Sequence, residues 1–296
     1  MSKIVVIGDV MLDIAISGAV TRIAPEAPIG IITEVTRKET LGGAGNVYAN
    51  LIGAGCNPYF ITVVGDDDES IKIMNKVKNG TVYVDKNRKT ITKTRIYAYT
   101  NHIRKETLIT RIDRESTIKF IDFSKLINSE AYTKIHKADF ILFSDYKKGL
   151  ITSELINYIR KINPTAKFIG DTKRLDDIYK GFYIVTPNEF EIQNSINGKI
   201  ENILVEYKEV LDINYPIITM GNKGIIFIDE KENIKTLPTT AHKAVDVLGA
   251  GDTFVAYLTG ELSKDKSITD AVYVAIKAAG ISVTKEGAYI VDKDEL

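Results

Sequence analysis

Residues 138–145 read ADFILFSD, an apolar run of strand length that ends at the carboxylate of Asp145. Four further runs share this pattern, because each is apolar and each leads into a polar or glycine turn. They cover residues 4–7, 167–170, 182–185 and 216–219. Strands that are apolar on both faces are typical of parallel sheets covered by helices on each side. We therefore predict an α/β fold with a mostly parallel central sheet.

Helical periodicity fills the intervals between these runs. Apolar residues at i, i+1, i+4 and i+7 predict a helix over residues 155–162, with Thr152 or Ser153 as its cap. Another apolar stripe begins just after Asp252, and the alanine-rich residues 271–281 predict a further helix. Strands alternating with helices in this way indicate βαβ units.

Residues 14–35 and 91–113 depart from this alternation of strands and helices. The second alternates apolar and polar side chains, as a half-exposed strand does, and Asn101-His102 resembles a hairpin tip. We expect a small antiparallel β lid inserted into the α/β core. Since no internal repeat or linker is visible, residues 1–296 are expected to form a single domain.

The composition excludes several classes of protein. The chain has 296 residues, of which 44% are hydrophobic and 26% charged, so disordered, collagen-like and coiled-coil proteins are excluded. Lys plus Arg equals Asp plus Glu at 39 each, so the overall field that attracts nucleic acid or anionic membranes is missing. We expect neither nucleic acid nor membrane as a partner.

Cysteine content and hydropathy indicate the compartment. The single cysteine, Cys56, is expected to pack in the core, because it cannot form an internal disulfide. The first residues read as a strand and not as a leader, and no apolar run approaches the roughly 18 residues of a membrane-spanning helix. A soluble protein of the reducing cytoplasm fits best.

The most informative motif is DVLGAGDT, residues 246–253. Glycines allow a ligand to approach the backbone, and the free N–H groups at the start of a helix bind anions. The turn formed by Gly249, Ala250 and Gly251 can stabilise a transferring phosphoryl group, and Asp252 can accept the proton of a hydroxyl nucleophile. A structural glycine loop with an aspartate cap is an equally good interpretation of the spacing alone.

A second glycine cluster precedes another predicted helix. The backbone at Gly42 and Gly43 and the carboxamide of Asn46 are suited to binding sugar hydroxyls, and Asp13 offers a carboxylate acceptor after the first strand. Glycine turns before helices are common, so a purely structural role for this cluster is also open.

Asn188 and Glu191 follow a predicted strand and share one face of a helical turn. Their oxygen atoms suit Mg²⁺ bound through its retained waters, or they form a cap and a surface charge. The turn that contains Thr219, Gly221 and Gly224 joins two predicted strands, either as a nucleotide contact or as a simple hairpin.

Other phosphate, metal and cofactor motifs are missing from the sequence. It has no G-x-x-x-x-G-K-[ST] loop and no G-x-G-x-x-G opening the first helix, which argues against a P-loop enzyme and a dinucleotide oxidoreductase. The three histidines lack metal-ligand spacing.

Taken together, these motifs resemble those of the PfkB, or ribokinase-like, sugar kinases. Gly42-Gly43-x-x-Asn46, Asn188-x-x-Glu191 and Asp246-x-x-Gly249-Ala250-Gly251-Asp252 occur in that family's order and cover essentially the whole chain. The resemblance implies a ribokinase-like fold, ATP and Mg²⁺ as cofactors, and Asp252 as the catalytic base with residues 249–251 as its anion hole.

The resemblance also implies binding roles for other residues. Those matched to sugar binding are Asp13, Gly42, Gly43 and Asn46; those matched to Mg²⁺ and ATP are Asn188 and Glu191; those matched to the nucleotide are Thr219, Gly221 and Gly224. Lys148 and Lys173 are expected at strand ends facing the same cleft, where they neutralise phosphate.

Within the family, residues 8–13, 21–28, 144–149 and 186–188 are similar to the D-glycero-β-D-manno-heptose 7-phosphate kinases. That similarity implies phosphorylation of the anomeric hydroxyl to give the 1,7-bisphosphate for ADP-heptose synthesis. Those enzymes usually carry Arg-Tyr after this aspartate, where this chain has Ile14 and Ala15. Because the chain ends at Leu296, we expect a stand-alone kinase without a nucleotidyltransferase domain.

Two alternatives remain open at this stage. The chain can be a PfkB kinase for another sugar, sugar phosphate or nucleoside, or a silent sugar- or nucleotide-binding regulator. The Gly-Ala-Gly-Asp turn favours an enzyme, because a binding module does not need the base. Pairing of two lids would hide their edges, so we expect a homodimer formed through the β lid.

Overall fold

The computed structural model describes residues 3–100, 103–173, 176–193, 198–241 and 243–296. Thirteen strands lie within these ranges, and they form two sheets. In chain order, the strands are β1 (Ile4–Gly8), β2 (Val10–Ile23), β3 (Gly30–Gly43), β4 (Tyr59–Val64), β5 (Gly80–Val84), β6 (Thr92–Thr100), β7 (Ile103–Arg114), β8 (Phe140–Asp145), β9 (Lys167–Thr172), β10 (Ile184–Val185), β11 (Tyr215–Thr219), β12 (Ile225–Ile228) and β13 (Ile234–Leu237).

The central sheet has nine strands in the order β13-β12-β11-β10-β9-β8-β1-β4-β5. The seven strands from β11 to β5 pair in parallel, and β12 and β13 add an antiparallel edge. The chain leaves β1 toward β4 on one side and later returns to β8 on the other. The carboxyl ends of β1 and β8 therefore flank a topological switch point, the place where open α/β sheets bind ligands.

Helices cover both faces of this sheet. Along β1, Ile4 and Val6 pack into one buried cluster, whereas Val5 and Ile7 pack into another on the opposite face. This alternation confirms the predicted doubly covered sheet. The helices are α1 (Ala44–Gly53), α2 (Asp68–Lys76), α3 (Phe123–Leu126), α4 (Ser129–His136), α5 (Ser153–Ile162), α6 (Glu189–Gln193), α7 (Ile200–Leu211), α8 (Ala250–Leu262) and α9 (Ile268–Ser282).

The two helices α5 and α9 illustrate how local sequence sets these elements. Helix α5 begins where predicted, because the Thr152 hydroxyl accepts a hydrogen bond from the Leu155 N–H across 3.2 Å. Its apolar stripe faces the core, and Leu155 and Ile159 are fully buried. Helix α9 begins at Ile268, three residues before the predicted start, because Ser267 caps it.

The smaller sheet has four strands in the order β3-β2-β6-β7. Its outer pairs are antiparallel, and β2 and β6 run parallel because the chain between them passes through the α/β core. Strands β2 and β3 extend beyond the predicted segment 14–35 at both ends, since β2 follows directly from β1 and β3 leads directly into α1. The predicted hairpin tip, Asn101-His102, lies outside the described residues, as does His242.

Within the described ranges, every helix is too short or too polar to cross a lipid bilayer.

Candidate active site

A narrow cavity of about 50 Å³ lies between the small sheet and the carboxyl ends of the central strands. Its walls come from both sheets and from the start of α8. The lining residues are Met11, Asp13, Gly43, Lys93, Arg95, Tyr146, Leu248, Gly249, Asp252 and Ala288. Four of them, Asp13, Gly43, Gly249 and Asp252, are site residues predicted from the sequence.

Both carboxylate oxygens of Asp252 accept hydrogen bonds. Asn46 donates from Nδ2 to Oδ2 across 2.8 Å, and the hydroxyl of Tyr146 donates to Oδ1 in a short contact. The two predicted glycine motifs therefore meet at one carboxylate. Each oxygen keeps a further lone pair, so the carboxylate is still able to accept a bond from a ligand hydroxyl.

The turn before α8 places Asp252 at this cavity. Gly249 adopts a φ of 77°, and a Cβ atom built on it would lie 2.5 Å from Asn46 Nδ2, so only glycine fits. Asp246 holds the turn from behind, because its two oxygens accept bonds from the N–H groups of Leu248 and Gly287. In this motif Gly249 is thus required for steric reasons, and Asp246 is required for its hydrogen bonds.

The backbone N–H groups of this turn are only partly occupied. The N–H of Ala250 donates to the carbonyl of Val247 at 3.3 Å. Among the described residues, no group accepts from the N–H of Gly249, Gly251 or Asp252. Together with the positive end of the α8 dipole, these groups can bind an anion.

Burial makes Asp252 a much weaker acid than an ordinary aspartate. Desolvation and the neighbouring Asp171 carboxylate raise its pKa to about 7, although the bonds from Tyr146 and Asn46 and the charge of Lys173 oppose this rise. A carboxylate with a pKa near neutral can take up and release a proton under ordinary conditions, which suits a general base.

Asp9, at the end of β1, orders the loop that follows β8. Its carboxylate accepts bonds from the N–H groups of Tyr146, Lys148 and Leu150 at 3.0, 3.0 and 3.3 Å. Burial raises its pKa to about 6 despite these bonds. Asp9 therefore spans the switch point and holds Tyr146 beside Asp252.

Asp13 lies on the lid side of the cavity. Its Oδ1 atom accepts a bond from Arg95 Nη1 at 2.8 Å, and Gly42 leaves room for its other oxygen, since a Cβ atom there would lie 2.0 Å from Oδ2. Arg95 pairs across β2 and β6 with Ala15, and Lys93 pairs with Asp13. The lid thus places two cations beside the predicted sugar-binding aspartate.

Lys173 connects the Asp252 side of the site with the predicted nucleotide side. Its Nζ atom lies 3.8 Å from Asp171 Oδ1 and 3.7 Å from Glu191 Oε1, and 5.2 Å from the centre of the Tyr146 ring. The surrounding carboxylates, Asp171 first, raise the pKa of Lys173 above its usual value, so the side chain stays charged. Lys173 does not itself line the cavity, and its predicted role in neutralising phosphate stays a prediction.

Asn188 and Glu191 cap one another at the start of α6. The Asn188 N–H donates to Glu191 Oε2 at 2.8 Å, and the Glu191 N–H donates to Asn188 Oδ1 at 3.0 Å. This arrangement leaves Glu191 Oε1 without a role in the cap. The carboxylate oxygen Oε1 of Glu191 and the amide oxygen of Asn188 fit Mg²⁺ that is bound through its own waters. The described residues hold no group of three or more His, Cys, Asp or Glu that would bind a metal directly.

The remaining predicted residues lie farther from the cavity. Thr219 bridges to Asn188 at the end of β11, and Gly221 and Gly224 form the turn of the β11–β12 hairpin. Lys148 does not line the cavity, because its Nζ atom forms an ion pair with Glu115 at 2.7 Å. Its predicted contact with a substrate phosphate therefore requires this pair to open.

Sequence reasoning missed three polar side chains of the cavity: Lys93, Arg95 and Tyr146. A signal for the first two was present, because the alternation along residues 91–113 places both on one face of a strand. What the alternation could not show is that this face meets Asp13, since that depends on the parallel pairing of β2 with β6. Tyr146 lies in the segment 144–149 that resembles the heptose kinases, but the segment alone indicated no role for it, because its partner Asp252 lies 106 residues away.

Comparisons with solved structures identify the fold as ribokinase-like. The structure of Arabidopsis thaliana ribokinase complexed with ribose and ATP superimposes with a TM-score of 0.73 at 18% identity, covering 99% of this chain and 96% of that one. Phosphofructokinase-2 from Escherichia coli in complex with potassium gives a TM-score of 0.75 at 14% identity, covering 100% and 97%. At these identities the likeness shows the fold alone.

Sequence comparison defines the family. The model of the pfkB family carbohydrate kinases matches residues 1–295, so the chain belongs to this family and is a sugar kinase. It is 37% identical over 309 residues to the bifunctional protein HldE of Aliarcobacter butzleri, covering 99% of this chain and 63% of that protein. The Helicobacter acinonychis protein of the same name is 34% identical, with 100% and 66% covered. The chain thus spans less than two thirds of these relatives.

Proposed function

We propose that the chain transfers a phosphoryl group from ATP to the anomeric hydroxyl of D-glycero-D-manno-heptose 7-phosphate, giving the 1,7-bisphosphate used in ADP-heptose synthesis. The observation that carries the proposal is the meeting of Asp252, the Gly249 turn and Asp13 in one cavity. The match to the HldE proteins over the whole chain supports this sugar. The cytoplasm, which supplies ATP, is the compartment we expect.

In this mechanism Asp252 removes the proton of the acceptor hydroxyl. The hydroxyl oxygen then attacks the γ-phosphorus, the bond from that phosphorus to the bridging oxygen breaks, and ADP leaves. In this proposal the N–H groups of Gly249 and Gly251, which have no acceptor among the described residues, stabilise the moving phosphoryl oxygens. Positioning and charge stabilisation supply most of the acceleration in such reactions, so the protein needs no covalent intermediate.

Mg²⁺ would be held through waters by Asn188 and Glu191, and it would neutralise the phosphate oxygens of bound ATP. Thr219, Gly221 and Gly224 then lie on the nucleotide side of the site. Lys173 is fixed between Asp171 and Glu191 and carries a positive charge between the acceptor and nucleotide sides. Its role is to draw the anionic reactants together.

The lid cations support a substrate that already carries a phosphate. Lys93 and Arg95 both line the cavity, and among the described residues Arg95 Nη1 donates to Asp13, while a guanidinium has further N–H donors that can reach a phosphate. On β6, Lys93 lies opposite Asp13 and Arg95 lies opposite Ala15, close to where the heptose kinases usually carry Arg-Tyr. The cavity is smaller than the roughly 300–1,000 Å³ of most ligand sites, so we expect the lid to move away when a sugar enters.

A panel assay of ADP release tests the proposal. ATP and Mg²⁺ are supplied with heptose 7-phosphate, fructose 6-phosphate, ribose or adenosine. We expect the highest kcat/KM with heptose 7-phosphate. A higher value with another acceptor would assign the chain to a different PfkB activity, and binding of sugar or ATP without ADP release would identify a silent regulator.

Changing Lys93 to Met tests the phosphate contact separately. We expect the KM for heptose 7-phosphate to rise about tenfold or more, the scale of a lost charge-assisted hydrogen bond, with kcat less affected. The unphosphorylated sugar serves as the matched control, and its KM is expected to stay unchanged. An equal rise for both sugars would contradict a phosphate contact.

We further propose that two copies pair through the lid. The outer lid strand β7 exposes Leu108, Ile109 and Ile112 to solvent, each at 50% or more. An exposed strand edge with an apolar surface favours pairing with another chain. Light scattering is expected to give a dimer, and the double change Leu108→Lys and Ile112→Lys is expected to give a monomer. A wild-type monomer would reject the proposal.

A further inference from the structure

Tyr146 occupies a position between the lid, the central sheet and the catalytic carboxylate. Its hydroxyl donates to Asp252 Oδ1, and the centre of its ring lies 5.8 Å from Lys93 Nζ of the lid and 5.2 Å from Lys173 Nζ of the core. Both distances are within the range of cation–π attraction. Contacts with both cations restrict where the ring can lie and therefore where its hydroxyl can point.

The backbone of Tyr146 is fixed as firmly as its ring. The buried carboxylate of Asp9 accepts the N–H of Tyr146 and those of two further loop residues, Lys148 and Leu150. Asp145, immediately before it, is fully buried and accepts a bond from the Tyr179 hydroxyl at 2.6 Å. Bonds to Asp9 and Tyr179, both outside the loop, hold the tyrosine in one place without a ligand.

We propose that Tyr146 is a positioning residue that holds Asp252 in its charged form and directs one oxygen of that carboxylate toward the acceptor hydroxyl. A hydrogen bond donated to a carboxylate stabilises the ion over the acid, so the tyrosine hydroxyl keeps the proton affinity of Asp252 lower than burial alone would set it. Asn46 does the same for the other oxygen. The inference rests on the proposed function, in which Asp252 is the base.

Charged groups from several elements face this pair, and they determine its titration together. Asp171 and the desolvation of the site raise the pKa of Asp252, whereas Lys173 lowers it. Burial and the Asp252, Asp171 and Asp13 carboxylates raise the pKa of Tyr146 well above its usual value, so the phenol remains a donor. The titratable groups on the elements around the cavity are Asp9 after β1, Asp13 on β2, Lys93 and Arg95 on β6, Tyr146 after β8, and Asp171 and Lys173 at and after the end of β9. Asp9, whose pKa is raised to about 6, accepts from Tyr146 only through the backbone N–H, so Tyr146→Phe keeps that bond.

The change Tyr146→Phe tests the proposal, because it removes the hydroxyl and keeps a ring beside Lys93 and Lys173. Hydrogen bonds to charged groups are strong enough for their loss to shift a carboxylate by about one to two pKa units. We expect the acidic limb of the pH profile of kcat/KM to move upward by that amount. Activity at pH 6 should fall at least about tenfold, while activity at pH 9 stays close to wild type.

Tyr257→Phe is the matched control, since Tyr257 lies on the same helix as Asp252 and its buried hydroxyl donates to the Val291 carbonyl at 2.9 Å. Loss of that hydroxyl should leave the pH profile unmoved. An unmoved acidic limb in Tyr146→Phe, or an equal loss of activity at all pH values, would overturn the inference. A rise in activity at all pH values would also overturn it, because the tyrosine would then compete with the substrate.

A second measurement separates this inference from the proposed function. The ¹³C carboxyl signals of aspartate-labelled enzyme are titrated without substrate, and Asp252→Asn identifies the Asp252 signal. An upward shift of its midpoint in Tyr146→Phe supports the inference whether or not the enzyme turns over. If Asp252→Asn keeps normal turnover, the proposed base fails; if it is inactive and the Asp252 midpoint does not move in Tyr146→Phe, only the inference about Tyr146 fails.

Discussion

Asn46 Nδ2 donates to Asp252 Oδ2 across 2.8 Å, although 206 residues separate the two in the chain. The orientation of the amide is itself fixed, because Asn50 Nδ2 donates to Asn46 Oδ1 at 3.1 Å and leaves the Asn46 NH₂ group to face the carboxylate. Asn50 in turn accepts the N–H of Val291. A polar chain through the buried contact between α1 and α8 thus ends at the proposed base.

Asp252→Asn is predicted to lower kcat at least about a hundredfold, the scale of general base catalysis, because an amide cannot take the proton. The fold should be kept, since an amide of the same shape can still accept from Asn46 and donate to Tyr146. Turnover and the melting temperature at pH 8 are the measurements. Asp270→Asn, another aspartate in the first turn of a helix, is the matched control and should retain activity. Near-normal turnover of Asp252→Asn would show that Asp252 is not the base.

The stability of the same variant is predicted to depend on pH in a particular direction. The folded pKa of Asp252, about 7, lies above its ordinary 3.8, so the folded state binds more protons than the unfolded state between these values. The contribution of Asp252 to stability is therefore present at acid pH and is lost as the pH rises toward 7. The difference in melting temperature, Asp252→Asn minus wild type, should be at least about 3 °C larger at pH 8 than at pH 5. A difference that is constant over this range would contradict the raised pKa.

Gly249→Ala is predicted to damage both stability and catalysis. Its φ of 77° disfavours any side chain, and the new Cβ atom would press on Asn46 and move it from Asp252. We expect a loss of about 1–3 kcal/mol in the free energy of unfolding and at least about a tenfold fall in kcat/KM. Gly181→Ala is the matched control, because φ there is 74° but no atom lies within 4 Å of the built Cβ. Equal kcat/KM in the two variants would show that the Asn46 contact is not needed.

Asn188→Ala is predicted to raise the Mg²⁺ concentration that gives half-maximal activity. The change removes an oxygen near the proposed metal and also one half of the cap of α6, which is worth about 1 kcal/mol of stability. Asn128→Ala removes a comparable cap from α4, where the Asn128 side chain accepts the Ala131 N–H at 2.9 Å, and so controls for the stability loss. An unchanged Mg²⁺ requirement in Asn188→Ala would reject its assignment.

Local sequence determined the strands, the helix limits and the main turn of this fold. Apolar runs that end in polar turns set the parallel sheet, because strands buried on both faces carry no polar side. The caps and stripes of α5 set its limits, and the glycines of the 246–253 motif set the turn that leads into α8. These features depend on residues close together in the chain, so spacing alone revealed them.

The composition of the site was decided only by the tertiary structure. Whether the 246–253 motif was a structural loop or an anion-binding turn depended on what stood opposite Asp252, and its partners Asn46 and Tyr146 belong to distant elements. The parallel register of β2 and β6 places Arg95 beside Asp13. The hydrogen bond from the Tyr146 N–H to Asp9 holds Tyr146 at the switch point between β1 and β8. The tertiary structure also pairs the Lys148 side chain with Glu115, so that it does not line the cavity. Contacts between distant segments follow from how the sheets and helices pack, which no local pattern of residues contains.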